Sequence, residues 1–312
     1  MRSFFLYLIS IIFVNLYSLS FCSDLKSQVE QVDELFIKAS SAEEKYRDLV
    51  EPSKKALIEM GKDAVPFLVD KLETQDAREI LALVDILGKI GEPAVLPLID
   101  CLKSENEDKI KTSSRILGDI KDKRAVQPLS DLLDNPDFNI RANACASLGK
   151  IGDTTVLDEI IFLLQDSVEV VRKSASVSLG DLNNPRAIDV LIHALRDKHF
   201  SVRMTASVSL VKLGPQAVEP LMKVLNDADD NTRYLAIESL GKIKNTRVVP
   251  FLLEKLSSKD WAERGFAVEA LGKIGNKKGV DAIIDLLKTE SHPFVKRKIK
   301  ETLEEFKSGA KS

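Results

Sequence analysis

Four stretches of this chain set a glycine beside a lysine: "DILGKIGE" at 85–92, "ASLGKIGD" at 146–153, "ESLGKIKN" at 238–245 and "EALGKIGN" at 269–276. A Gly-Lys pair is the material of a phosphate-binding loop, provided that its glycines precede a helix and its N–H groups point at the anion. A second group with chemical potential is a column of arginines, Arg141, Arg172, Arg203, Arg233 and Arg264, with Lys296 in the same place. Five guanidiniums in register could read phosphates. Three of them, however, follow an aspartate by six residues: Asp166–Arg172, Asp197–Arg203 and Asp227–Arg233. At a turn between helices an Asp can cap, and Asp and Arg in adjacent columns can pair through parallel hydrogen bonds. The column therefore reads as a structural ladder. The first two full units carry Ile80 and Ile110 there, so the ladder begins at the third.

Other chemistry finds little material. The three histidines, His193, His199 and His292, make no His-Glu dipeptide, and no metal site is expected. No Gly-x-Ser-x-Gly elbow is present, and the serines recur at small packing positions. Cys101 and Cys145 lack Cys-x-x-Cys spacing and read as buried free thiols. No catalytic residue and no cofactor is assigned. A net charge of −3 argues against a general nucleic-acid footprint. Trp261 shares a column with Phe138 and Phe200 at the start of a helix, which reads as packing at the turn.

The elements behind these columns repeat. The leucines before the glycine, Leu87, Leu117, Leu148, Leu179, Leu210, Leu240 and Leu271, are spaced by 30 or 31 residues. Each unit holds two helical patterns. The first carries apolar residues at i, i+3, i+4 and i+7, as in Val218, Leu221, Met222 and Leu225. Pro97, Pro128, Pro220 and Pro250 fall in its first turn, where a missing N–H costs little. The second ends at the glycine and places Ala144, Ala175, Ala206, Ala236 and Ala267 four residues before the leucine, so that neighbouring helices can approach closely. Neither helix can bury its stripe alone, so units must stack. The fold class is all-α: a right-handed α-solenoid of about eight helix pairs with first helices near 64, 94, 125, 156, 187, 217, 248 and 279. The glycines close helices, and the Gly-Lys stretches read as joints. Gly91, Gly152, Gly214, Gly275 and Asn183 suit a left-handed residue just past a helix.

The spacing D-x(5)-R-x(6)-L-G, seen in "DSVEVVRKSASVSLGDL" from Asp166 and "DADDNTRYLAIESLGKI" from Asp227, resembles the HEAT family of α-solenoids, in particular the bacterial PBS-lyase HEAT-like repeats. The resemblance covers about 61–306. It implies that the second helices line a concave side, where positions six and two before the leucine face outward. In the middle units most of these are apolar, Ala142, Ala146, Val177, Met204, Val208 and Tyr234, a stretch with charged flanks and a candidate partner-binding surface. Relatives of this fold also include bilin lyases and an iron hydroxylase, which keeps an enzyme or enzyme subunit as an alternative; an architectural envelope protein is another.

The N-terminus reads apart from the repeats. Residues 4–21 carry no charge and follow Met1 and Arg2, as in a secretory signal. Three readings stand: a cleaved signal, a lipoprotein acylated at Cys22 after "LSFC", and an uncleaved anchor. All place the body outside the cytoplasm. The expected division is 1–22 signal, 23–60 helical cap, 61–306 repeats and 307–312 disordered tail. The expected function is an exported, non-catalytic scaffold that binds a protein or peptide on its concave face, with membrane contact only through the N-terminus.

Overall fold

The structure, a computed structural model, describes residues 26–227 and 229–309, with side chains up to Phe306. The signal reading and Cys22 lie outside the described residues. The chain forms two compact units, one ending at Pro128 and the other beginning at Leu129. Among the described residues there are helices and turns and no strand.

In the first unit, helix α1 covers 26–40 and is followed by α2 (Val50–Met60), α3 (Val65–Asp70), α4 (Ala77–Ile90), α5 (Val95–Cys101) and α6 (Glu107–Ile120). The charged segment expected as a cap is mostly helical. Lys71 joins α1 to the repeats, 2.5 Å from Asp33 and 5.5 Å from the Phe36 ring centroid. α2 packs on α4, and α4 on α6. Where the arginine column holds Ile80 and Ile110, Lys109 reaches back to Glu73 at 3.2 Å.

The chain passes between the units in α7 (Val126–Ser130). The second unit then alternates long and short helices and ends on two long ones: α8 (Phe138–Ile151), α9 (Leu157–Phe162), α10 (Glu169–Leu182), α11 (Ile188–Ala194), α12 (Phe200–Leu213), α13 (Val218–Lys223), α14 (Asp230–Ile243), α15 (Val249–Lys255), α16 (Trp261–Ile274), α17 (Lys277–Thr289) and α18 (Pro293–Gly309). The long helices pack in sequence, α8 on α10, α10 on α12, and so on to α18. Leu148, Leu179, Leu210, Leu240 and Leu271 are buried between them. α18 runs to Gly309, so 307–309 are helical and not part of a disordered tail.

Helix starts and stops follow local chemistry. Asp76, Asn106, Asp137, Asp229 and Asp260 accept N–H bonds at the first turns of α4, α6, α8, α14 and α16. Gly152, Asn183 and Gly275 end helices in the left-handed conformation. Gly91 and Gly214 differ from that expectation. Their φ is positive but their ψ is −127° and −136°, a region open in practice only to glycine. The chain there turns directly into a 3-10 turn that begins the next pair.

Two devices join one long helix to the next. The first is close approach. Ser178 Oγ donates to Cys145 O at 2.8 Å and Ser209 Oγ to Ser176 O at 2.7 Å. Each serine sits against the glycine of the preceding helix. A Cβ on Gly149 would lie 2.8 Å from Ser178 Cα, and one on Gly180 3.0 Å from Ser209 Cα. Between α12 and α14, Val211 replaces that glycine, and Ser239 meets the Ser207 hydroxyl at 2.9 Å instead of a carbonyl.

The second device is the arginine column. Nη1 of Arg141, Arg172, Arg203, Arg233 and Arg264 donates to the carbonyl six residues earlier, at 2.7–2.8 Å, closing the arginine's own loop. The other edge of the fork reaches the next repeat. Arg141 bonds Asp166 through Nε and Nη2 at 2.8 and 3.0 Å, Arg172 bonds Asp197 at 2.7 and 3.1 Å, and Arg264 bonds Glu290 at 2.7 and 3.0 Å. Ser258 stands where the acid of Arg233 would be, and Glu263 accepts from Arg233 at 2.5 Å instead. Burial alone would push the Asp197 carboxyl up, yet the Arg172 guanidinium and the His199 N–H hold it below the usual range. Arg264 lowers Glu290 further, to about 2.

Gly149→Ala should destabilise the second unit by about 1–3 kcal/mol, because the clash is with backbone. Gly88→Ala, where an added Cβ meets nothing within 4 Å, should be neutral or stabilising by up to about 1 kcal/mol; urea midpoints test both. Arg172→Ala should cost about 3 kcal/mol by leaving the half-sequestered Asp197 without its partner, and Arg172→Lys should recover only part of that loss in thermal unfolding. Because Glu290 has a depressed pKa, its pairing stabilises above the usual carboxylate range and the contribution fades as pH falls toward about 2. Glu290→Gln should therefore show its largest deficit above about pH 5 and converge on the parent in acid.

Candidate functional site

Positions four residues apart share one face of a helix. On α12 this face runs Phe200, Met204, Val208 and Lys212. Phe200 is 67% exposed, Val208 46% exposed and Met204 half-buried. Sequence reasoning placed Met204 and Val208 on this face but assigned Phe200 to packing at the turn. The structure corrects that. Trp261, in the same column, does pack, stacked on His292 at 4.6 Å and edge-on to Phe294 at 5.2 Å. No such ring partner accompanies Phe200 among the described residues. What covers Phe200 is a cation: the Arg203 guanidinium carbon lies 5.7 Å from its ring centroid. The i, i+4, i+8 spacing from Phe200 to Val208 was the signal available.

The other candidate residues divide. Ala146 and Val177 are half-buried on α8 and α10. Ala142 is 6% exposed and offers no surface; its methyl is too short to emerge from the packed α8. Tyr234 is half-buried on α14, its ring stacked on Phe266 at 5.3 Å and its hydroxyl donating to Asp260. Burial, reinforced by Asp260, pushes its phenol up, so it stays a neutral wall of the ridge. Charges flank the apolar stripe. Lys173 is exposed on α10, Lys212 pairs with Asp181 at 2.5 Å, and Glu238 pairs with Lys242 at 2.7 Å on α14.

The Gly-Lys stretches build no anion cradle. Lys89, Lys242 and Lys273 each hold the carboxylate one turn back, Asp85, Glu238 and Glu269, at 2.7, 2.7 and 2.5 Å. The histidines are dispersed: His193 borders a cleft, His199 lies against Glu169, and His292 stacks on Trp261. Among the described residues no three His, Cys, Asp or Glu side chains are grouped to hold a metal. Cys101 and Cys145 are free and buried, and burial pushes the Cys145 thiol up to about 12. In the second unit a cleft of about 380 Å³ opens between the end of α9 and α11. It is lined by Ile161, Leu164, Val190 and Ala194, with His193 and Arg196 at its rim, and it lacks a nucleophile with an adjacent base.

The ladder residues sit beside the ridge. Asp166, Arg172 and Asp197 are tied into rungs, as described above. Arg203 departs from them. Its Nη1 closes its own loop, but Asp227 is bound by Arg196 instead.

The comparisons agree with this architecture. No curated protein sequence matches the chain. Among solved structures it is similar to importin beta, at 13% identity and a TM-score of 0.60 over 88% of this chain and 46% of that one. It is similar to the Escherichia coli protein YibA at 19% identity and a TM-score of 0.51, over 84% and 97%. The complex of CpcE and CpcF of phycocyanin lyase from Nostoc also matches, at 23% identity and a TM-score of 0.42, over 72% and 93%. The family model for HEAT repeats matches residues 95–180, 157–222 and 218–304. With the arginine rungs and paired helices of the same segments, this chain belongs to the HEAT-repeat family.

Proposed function

We propose that this protein is an exported, non-catalytic scaffold that binds a protein or peptide on the exposed face of its long helices. The observation that carries the proposal is the α12 stripe, where Phe200 and Val208 stand out into solvent and Met204 lies between them. Burying one large apolar side chain is worth roughly 1.5–3 kcal/mol. Three adjacent ones in a charged frame therefore hold enough for recognition if a partner covers them. The solenoid supports the reading in another way. It spends its polar groups on its own rungs and joints, and the long-helix face is left to vary from repeat to repeat. Export is proposed from the uncharged residues 4–21.

The test is capture of a partner from an envelope fraction, with mass spectrometry of what is retained. The double variant Met204→Lys with Val208→Glu should keep the parent's helical circular dichroism and melting temperature and lose the capture. Capture that persists in the folded variant would refute the ridge.

A further inference from the structure

We infer that Arg203 is the anchor of a carboxylate subsite on this ridge, which takes an Asp or Glu side chain of the bound peptide next to a large apolar residue. The inference rests on the peptide-binding reading above and adds the chemistry of the ligand.

Five arginines occupy equivalent positions in the second unit, and four of them fill both edges of the guanidinium fork. The inner edge holds a loop carbonyl and the outer edge holds a carboxylate: Asp166 for Arg141, Asp197 for Arg172, Glu263 for Arg233 and Glu290 for Arg264. Even Arg233, whose column acid is Ser258, recruits a substitute. Among the described residues, Arg203 alone of the five has a filled inner edge and an open outer one. Its Nη1 donates to the Asp197 and Lys198 carbonyls at 2.8 and 3.2 Å, while Nε and Nη2 meet no acceptor among the described residues.

The rung is open because its acid is held elsewhere. Asp227 stands in the column that supplies Asp166, Asp197 and Glu290, but it is paired with Arg196. The residues equivalent to Arg196 in the other repeats of the second unit are Asp134, Gln165, Asn226, Ser257 and Thr289. Among the repeats that carry the arginine column, this one alone sets a competing cation at that corner. The described acids beside it are engaged as well: Asp229 accepts from Thr232 N and Oγ1 at 2.7 and 2.8 Å, and Asp230 pairs with Arg233 at 2.6 Å. Among the described residues these three acids are matched and one guanidinium edge is spare.

That edge is pre-organised. The two carbonyl bonds hold the fork in place, and an incoming carboxylate would find the two-point geometry that the neighbouring rungs already use. The ring of Phe200 lies 5.7 Å from the same guanidinium, and Met204 is the next residue along α12. A ligand whose acid reached Arg203 would lay its adjacent side chain on the apolar stripe. This surroundings suit a carboxylate flanked by leucine-like side chains better than a bare anion.

The test is a titration of the full repeat protein, with arginine Nε–H signals followed by NMR. The probes are Ac-Leu-Glu-Leu-NH2, Ac-Leu-Gln-Leu-NH2 and Ac-Leu-Gln-Leu with a free C-terminus. The Arg203 Nε–H signal should exchange rapidly in the free protein and shift on adding the Glu peptide only, while the Arg172 and Arg264 signals stay fixed and report that the fold is intact. Arg203→Ala should weaken the Glu peptide about tenfold and leave the Gln peptide unchanged. Arg196→Ala, which touches neither peptide, should weaken the Glu peptide similarly because Asp227 is released to close the rung, and adding Asp227→Ala should restore it. An Arg203 signal already protected without ligand, an equal response to the blocked Gln peptide, or a response only to the free C-terminus would each overturn the assignment. Loss of partner capture at Met204 and Val208 with no effect of Arg203 would remove this subsite and leave the ridge standing.

Discussion

The stack depends on a double use of one side chain. In four long helices of the second unit an arginine of the first turn ties down its own loop with one edge of its guanidinium and reaches the following repeat with the other, as Arg172 does. Neither task suits lysine, whose ammonium is a point charge without a rigid fork. The acid it reaches also works twice. Asp166 and Asp197 accept the next backbone N–H in their own turns, at Val168 and His199, and neither Val168 nor His199 caps its helix with its own side chain. The loop, the helix start and the junction between repeats are thus closed by the same few hydrogen bonds.

Small residues make those junctions possible. A guanidinium has a fixed reach, and it spans two repeats only if the long helices lie close together. Gly149 and Gly180 allow that approach, and Ser178 and Ser209 turn it into hydrogen bonds on the neighbouring backbone. The junction between α12 and α14 departs in both respects. Val211 stands in place of the glycine, the serine finds a hydroxyl instead of a carbonyl, and the arginine loses its acid. Within the second unit these departures coincide with the most exposed apolar side chains of the long-helix face. The repeat that departs furthest from the common joint is also the one with surface left for another molecule.

Much of the fold was legible in the chain itself. A 30–31-residue spacing of leucines, alanines at a fixed offset and a glycine at each helix end can be met by stacked helix pairs and by little else. The Asp-Arg spacing named the residues of the rungs. It did not name their pairing, since an arginine six residues after an aspartate uses that aspartate's carbonyl and takes its carboxylate from the next repeat. The exposed face was legible at Met204 and Val208 because helical periodicity assigns faces. It failed at Ala142, where burial depends on the thickness of the neighbours, and at Phe200, whose column holds the packed ring of Trp261 and the charges Glu169 and Asp230 in other repeats.

The sequence by itself determined the helices, the period and the residue types at each joint, because these follow from local propensities and from what must be small, apolar or able to cap. Only the tertiary structure decided which acid each arginine holds. That choice is made between residues twenty-five or more positions apart, by the competition of several charges for one carboxylate. Asp227 satisfies the same sequence pattern as Asp197, yet Arg196 is near enough in space to take it. The open guanidinium of Arg203 is a result of that competition, which a linear pattern does not record.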